Sequence, residues 1–182
     1  LAEKWEISED AMTYTFTMRK GLKFANGDPL NANDAVWSIK RSMKLTSSSK
    51  WLIESVGITE DNVDQTVKLI DDYTFTMKFD KPYASNIILG ILTNQFASVV
   101  NRKQVEPHMS GDDLGQKWLD DNSAGAGAYV LQKWERNNQI VLVANPYYVE
   151  GQPKIRRIVV RDVPEAANQR LMVEKGDADV AW

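Results

Sequence analysis

Cysteine is absent from the 182 residues. That excludes disulfides, thiolate nucleophiles and cysteine metal sites, and it leaves the redox compartment open. Histidine occurs once, at His108, so any Ser-His-Asp or Cys-His arrangement has a single base to draw on. It stands in Pro107-His108-Met109 between polar stretches and reads as an ordinary exposed residue. Neither HExxH nor GxSxG occurs. Long apolar runs are lacking too: IILGIL and IVLVA fall far short of the ~18 to 20 residues a membrane-spanning helix needs. Positive charge is not in excess, and a net charge of −3 offers no basic face to nucleic acid. Acidic pairs are present at Asp61/Asp64, Asp71/Asp72, Asp112/Asp113, Asp120/Asp121 and Asp177/Asp179. None has EF-hand spacing, and adjacent carboxylates on a strand or turn point apart, so they read as solvated turn acids rather than a glycosidase pair or a calcium site.

What is present is a dense alternation of strand and helix signals. Leu1 to Ile7 places Trp5 and Ile7 on one face of a strand. Tyr14, Phe16 and Met18 then alternate with Thr13, Thr15, Thr17 and Arg19, the period of a half-buried strand. Lys23 to Pro29 is a loop whose Asn26-Gly27 step supplies positive φ. Asn31 is placed to cap a helix with Asp34 three residues on. Val36, Ile39 and Met43 recur at spacings of three and four, so an amphipathic helix runs from Ala32 to about Lys44. Thr46 to Lys50 reads as a polar linker.

Beyond it, Val56-Gly57-Ile58, Val67 to Ile70 and Tyr73 to Phe79 read as strands. YTFTMK at 73–78 nearly copies YTFTMR at 14–19, and six positions are more simply two answers to one strand problem than a duplicated module. Tyr83 to Leu92 reads as a short apolar helix and Ala97 to Val100 as a buried strand, with short surface helices at 101–106 and 111–120. Ile155 to Val160 is a strand, and Pro164 opens a helix through Glu174 with Ala167, Leu171 and Met172 inward and Gly176 as its cap. Asp177 to Trp182 starts one more strand, which makes this last unit a β-α-β crossover. The class is α/β, a mixed β-sheet with flanking helices. Trp5, Trp37 and Trp134 fall on inward faces, whereas Trp51 and Trp118 have no assigned place.

The stretch that organises the chain is Ser123 to Tyr148. Gly125 and Gly127 flank Ala126 in a turn nearly free of side chains, where backbone can approach a neighbour closely. Tyr129-Val130-Leu131 then enters a strand, and Ile140 to Val143 returns after Arg136-Asn137-Asn138 as a hairpin that Asn145-Pro146 stops. A dinucleotide phosphate loop would need a third glycine opening a helix, and Val130 stands there inside a strand pattern. The stretch reads instead as a glycine corner between two layers.

GAGAY-VLQKW, IVLVANPYY, GQPKIRRIVVRDVP and EKGDADVAW, in this order, resemble the family 5 extracellular solute-binding proteins of ABC importers, the peptide- and nickel-binding type. LAEKWEISEDAMTYTFTMRKGLKFANGDPLNANDAVWSIKR is similar to that family's N-terminal pattern. The likeness covers nearly the whole chain, with a less distinctive middle from about Leu45 to Asp121. It implies an incomplete N-terminal lobe of a class II periplasmic-binding-protein-like fold, about a third of such a protein. Residues 1–46 and 123–182 would share one subdomain, with 47–122 inserted as a smaller one. It implies no enzyme, no cofactor and no metal. A peptide or other small solute would be captured between two lobes and delivered to an ABC permease, by a monomer that binds no nucleic acid. The protein would lie at the periplasmic or extracellular face of the cell membrane, a lipid anchor on a missing N-terminus being one form of attachment. The expected cleft residues are Asn94, Gln95 and Phe96, then Gly125, Ala126 and Tyr129. GAGAY departs from the usual pattern by lacking its threonine and proline. Ala144 replaces a basic residue, which removes one partner for an anionic ligand group, and Val149 replaces a tryptophan. The aromatic and acidic content motivates a rival, a sugar- or oligosaccharide-binding relative or a carbohydrate-active enzyme.

Overall fold

The computed structural model describes residues 1–45 and 49–181. Most of the expected linker and Trp182 therefore lie outside the described residues.

β1 (Ala2–Ile7) and β2 (Thr13–Met18) form the expected antiparallel pair, and β3 (Val67–Asp71) and β4 (Thr74–Lys78) form another. The two pairs join into one four-stranded sheet in the order β1-β2-β4-β3, with β2 antiparallel to β4. The near-identical hexapeptides are thus neighbours at the centre of the sheet. Phe16 lies opposite Phe75, their rings stacked at 5.1 Å, and Thr15 lies opposite Thr76. Both copies bury their Phe and Met positions and leave threonines half-covered, as a one-sided sheet requires, whereas Tyr14 is buried and its counterpart Tyr73 is exposed. The strands from residues 1–46 and those from 47–122 form the two halves of this sheet and are hydrogen-bonded to each other through β2 and β4.

Helix α1 (Ala32–Lys44) covers this sheet. Asn31 and Asp34 form a reciprocal capping box, and Ala32, Ala35, Val36, Ser38, Ile39 and Met43 are buried. All of these but Ser38 join Tyr14, Phe16, Met18, Phe75, Met77 and Phe79 in an apolar core. Short helices α2 (Lys50–Glu54), α3 (Val63–Thr66) and α4 (Ser85–Ile91) add Ile53, Val63, Ile88 and Ile91 to it. Val56-Gly57-Ile58 is a turn rather than a strand. Gly57, at φ +87°, presses so close to Asp80 that a Cβ would meet that side chain at 2.4 Å.

Ala97 to Val100 does not form the expected strand. Its backbone is satisfied by a side chain instead: buried Ser38 Oγ accepts from the Val100 N–H at 3.0 Å and donates to the Val100 carbonyl at 3.3 Å. Helices α5 (Arg102–Val105) and α6 (Gln116–Leu119) follow as single turns.

The second sheet is β5 (Tyr129–Glu135), β6 (Gln139–Ala144) and β7 (Arg157–Arg161), antiparallel throughout. Helix α7 (Ala166–Lys175) ends at Gly176 in the left-handed conformation, as expected, but none of its residues is buried. Ala167 and Leu171 are exposed and Met172 only half-buried, because no described segment lies over that helix face. Residues 177–181 form no strand, so the parallel partner the crossover would add is not among the described residues.

Two tryptophans also depart from expectation. Trp5 is 46% exposed because β1 is the edge strand farthest from α1, which packs on β3 and β4. Trp134 is 42% exposed with the Arg136 guanidinium 3.4 Å above its ring. Trp37 is half-buried on α1.

Candidate functional site

The first group of expected cleft residues follows α4, and its members do different work. The Asn94 side chain turns back on the helix, its Nδ2 donating to the carbonyls of Gly90 and Ile91 at 3.2 and 3.1 Å. That satisfies two of the acceptors a helix end leaves open. Phe96 is 2% exposed, so its ring is spent on packing the main core. Gln95 is exposed, and its side chain has no partner among the described residues.

The second group is the glycine corner, held by its carbonyls. Ala124 O accepts from the Asn101 N–H at 2.8 Å and Gly125 O from the Ala25 N–H at 3.1 Å. Gly127 O accepts from Asn145 Nδ2 at 2.8 Å, and Ala128 O from the Asn145 N–H at 2.9 Å. Four carbonyls are thus engaged by three separate segments of the chain. By contrast, the N–H groups of Gly125, Ala126 and Gly127 have no partner among the described residues. Neither Gly125 nor Gly127 is left-handed, and a Cβ on either would meet nothing closer than 4.0 Å. The close approach expected of the glycines is therefore not one that the described chain makes to itself.

Ala126 packs against the main core, the same core that holds Phe96. Tyr129 stands apart at the start of β5, its hydroxyl donating to the Ile155 carbonyl at 3.1 Å. The path between the two groups runs from Phe96 past Ser38 to Asn101, which bonds the corner directly.

Asn101 was legible only as the first residue of a surface helix, yet it is 1% exposed. Its Oδ1 caps α5 by accepting from the Gln104 N–H at 3.1 Å. Its Nδ2 donates to Asp28 Oδ2 at 2.9 Å and Asn26 Oδ1 at 3.3 Å. Asn26 Nδ2 donates to the same Asp28 oxygen at 2.8 Å. These amide donors, with the Lys103 ammonium 3.8 Å away as a lesser influence, hold the Asp28 carboxyl below its usual range. The signal in sequence was an asparagine three residues before a glutamine, a spacing that marks a helix start and says nothing of Asp28.

His108 is exposed, with its ring stacked on Trp118 at 4.5 Å and nearly parallel to it. Among the described residues no three His, Asp or Glu side chains gather as a metal site would require. The two best-defined hollows, of about 390 and 460 Å³, are open and meet at Lys20; none of the six candidate residues lines them.

The two sheets, joined through a polar junction and open on one side, have the architecture of a lobe of a periplasmic binding protein. The chain aligns with Haemophilus influenzae OppA, solved in complex with RPPGFSPFR, at a TM-score of 0.78 and 26% identity, over 97% of this chain and 35% of that one. The model for bacterial extracellular solute-binding proteins, family 5 middle, matches residues 1–182, and the chain belongs to that family. Among curated relatives it is 31% identical to the probable D,D-dipeptide-binding periplasmic protein DdpA of Escherichia coli, over 100% of this chain and 33% of the relative. It is also 31% identical to the Escherichia coli dipeptide-binding protein, over 99% of this chain and 35% of the relative. The chain thus spans about a third of the length of the curated relatives it matches.

Proposed function

We propose that this chain is part of the solute-binding component of an ABC importer. It would capture a peptide or related small solute between two lobes at the periplasmic or extracellular face of the membrane and pass it to a permease. The observation that carries the reading is the family match over the whole chain, with relatives named for dipeptides. The wall around the corner supports it: its carbonyls are spent internally while three consecutive N–H groups are not. Such donors suit the carbonyl or carboxylate oxygens of a peptide, and the amide of Gln95 offers both a donor and an acceptor. Binding rather than bond-breaking fits the residues present, and the carbohydrate rival finds no support among these relatives. The protein would act as a monomer, by closure of one lobe over the other, a shift as large as the solute's preference for the closed state.

Native mass spectrometry of the whole protein, purified without added solute, tests this. A retained set of short peptides is the expected result. A bound glycan that is turned over would overturn the reading.

A further inference from the structure

The first sheet and the second are linked through a polar junction centred on Asn101, a residue outside the expected cleft set. Loop 24–29 leaves β2's side of the molecule, Asn101 lies at the start of α5, and the corner leads into β5. Asn101 touches the other two at once: its N–H holds Ala124 O, and its side chain holds Asn26 and Asp28. The loop so held delivers the Ala25 N–H to Gly125 O. From the far side, Gly27 lies 3.4 Å from the Tyr147 ring, measured from the position a Cβ would take, and Lys23 lies 5.1 Å from that ring's centre. Tyr147 in turn follows Asn145, which holds Gly127 O and Ala128 O.

We infer that Asn101 is a positioning residue for the solute wall: by tying Asp28 to the corner it sets where residues 125–127 stand relative to Gln95 and the first sheet. This rests on the proposed role of the corner as a wall. A buried amide is suited to the task because it donates from one end and accepts at the other, and leaving either end unmet in the interior is costly. Carbonyls pinned from three segments fix the plane of each peptide, and with it the direction of the N–H groups that remain. A chain held only by apolar packing would not fix that direction, since apolar contact is not directional. Among the described residues, Asp28 is the only carboxylate on the Asn101 amide. Lys103 on α5 lies 3.8 Å from Asp28, and on α1 the Asp34 carboxyl is engaged by backbone N–H groups of Asn31 and Arg102, with the Arg102 charge nearby.

The whole protein carrying Asn101→Asp sets two carboxylates against each other where an amide met a carboxylate. Adding Asp28→Asn reverses the pair and restores one donor facing one acceptor. Two readouts are taken on each variant: amide hydrogen exchange, without solute, of the Ala25 and Asn145 N–H groups that donate to the corner carbonyls, and affinity for a tripeptide library by calorimetry. We expect Asn101→Asp to speed exchange at Ala25 and Asn145 and to weaken tripeptide binding, each by about tenfold or more. The double variant should recover both toward wild type while Asn101→Ala does not. Unchanged exchange in Asn101→Asp, or a double variant no better than the single, overturns the positioning role. Faster exchange with unchanged affinity overturns the corner as a solute wall. A wild-type protein that binds no tripeptide refutes the peptide reading, and the exchange arm still decides whether Asn101 holds the corner.

Discussion

Asp28 and Asp34 lie six positions apart and titrate in opposite senses. Amide donors hold Asp28 below its usual range, so its contribution to stability is complete above the unfolded-state value, about 3.9, and is lost as pH falls through the folded value. Burial raises Asp34, whose contribution therefore runs the other way: it is full below the unfolded value and fades as pH rises through the folded one. Urea unfolding from pH 2 to 7 should show Asp28→Asn with a smaller acid loss than wild type; an identical profile would place the acid sensitivity elsewhere. Glycines divide as sharply. Gly57→Ala meets both a left-handed φ and the Asp80 side chain at 2.4 Å, and should cost about 1 to 3 kcal/mol in denaturant unfolding. Gly127→Ala meets neither and should be neutral or stabilise by up to about 1 kcal/mol. If it nonetheless weakens solute binding, the missing Cβ serves the guest rather than the fold. Sequence reading located both glycines but could not rank them, because φ and the neighbour's distance are properties of the folded chain.

At the level of elements, period and caps carried most of the information. The strand at 13–18, the helix at 32–44 with its Asn31 cap, the hairpin at 129–144 and the Gly176 stop were all legible, since each is fixed by residues close in sequence. What failed were elements defined by distant partners. Ala97 to Val100 has the composition of a strand but pairs with the hydroxyl of Ser38, sixty-two residues earlier. Ser38→Ala should strand both backbone groups of Val100 and cost about 1 to 3 kcal/mol by chemical denaturation. A loss below a few tenths would show that solvent replaces the hydroxyl. The inward face assigned to α7 failed for the same reason: periodicity names a face, not the surface that covers it. Leu171→Ser in the 182-residue chain should change stability by no more than about 0.5 kcal/mol, because Leu171 is already 45% exposed.

For the molecule as a whole, the sequence order of its motifs spoke for the family before any contact was known, and the match over residues 1–182 bears that out. A subdomain boundary is a lack of contacts and has no residue type of its own to mark it in sequence. The two clearest hollows are lined by neither Gln95 nor the corner residues. Residues 1–182 alone should accordingly bind no peptide tightly; calorimetry showing micromolar affinity for this piece would contradict a two-walled site. The pairing of β2 with β4 has a further consequence for how the chain reaches its fold. Two interchangeable pentapeptides sit side by side at the centre of one sheet, in register through Phe16 and Phe75. A polypeptide emerging from the ribosome meets its first copy before the second exists, whereas one diluted out of urea has both on offer and can dock the wrong one against β1. Renaturation in vitro should therefore show a slow population that vanishes when Thr74 and Thr76 are changed to valine, a decoy that vectorial synthesis never presents.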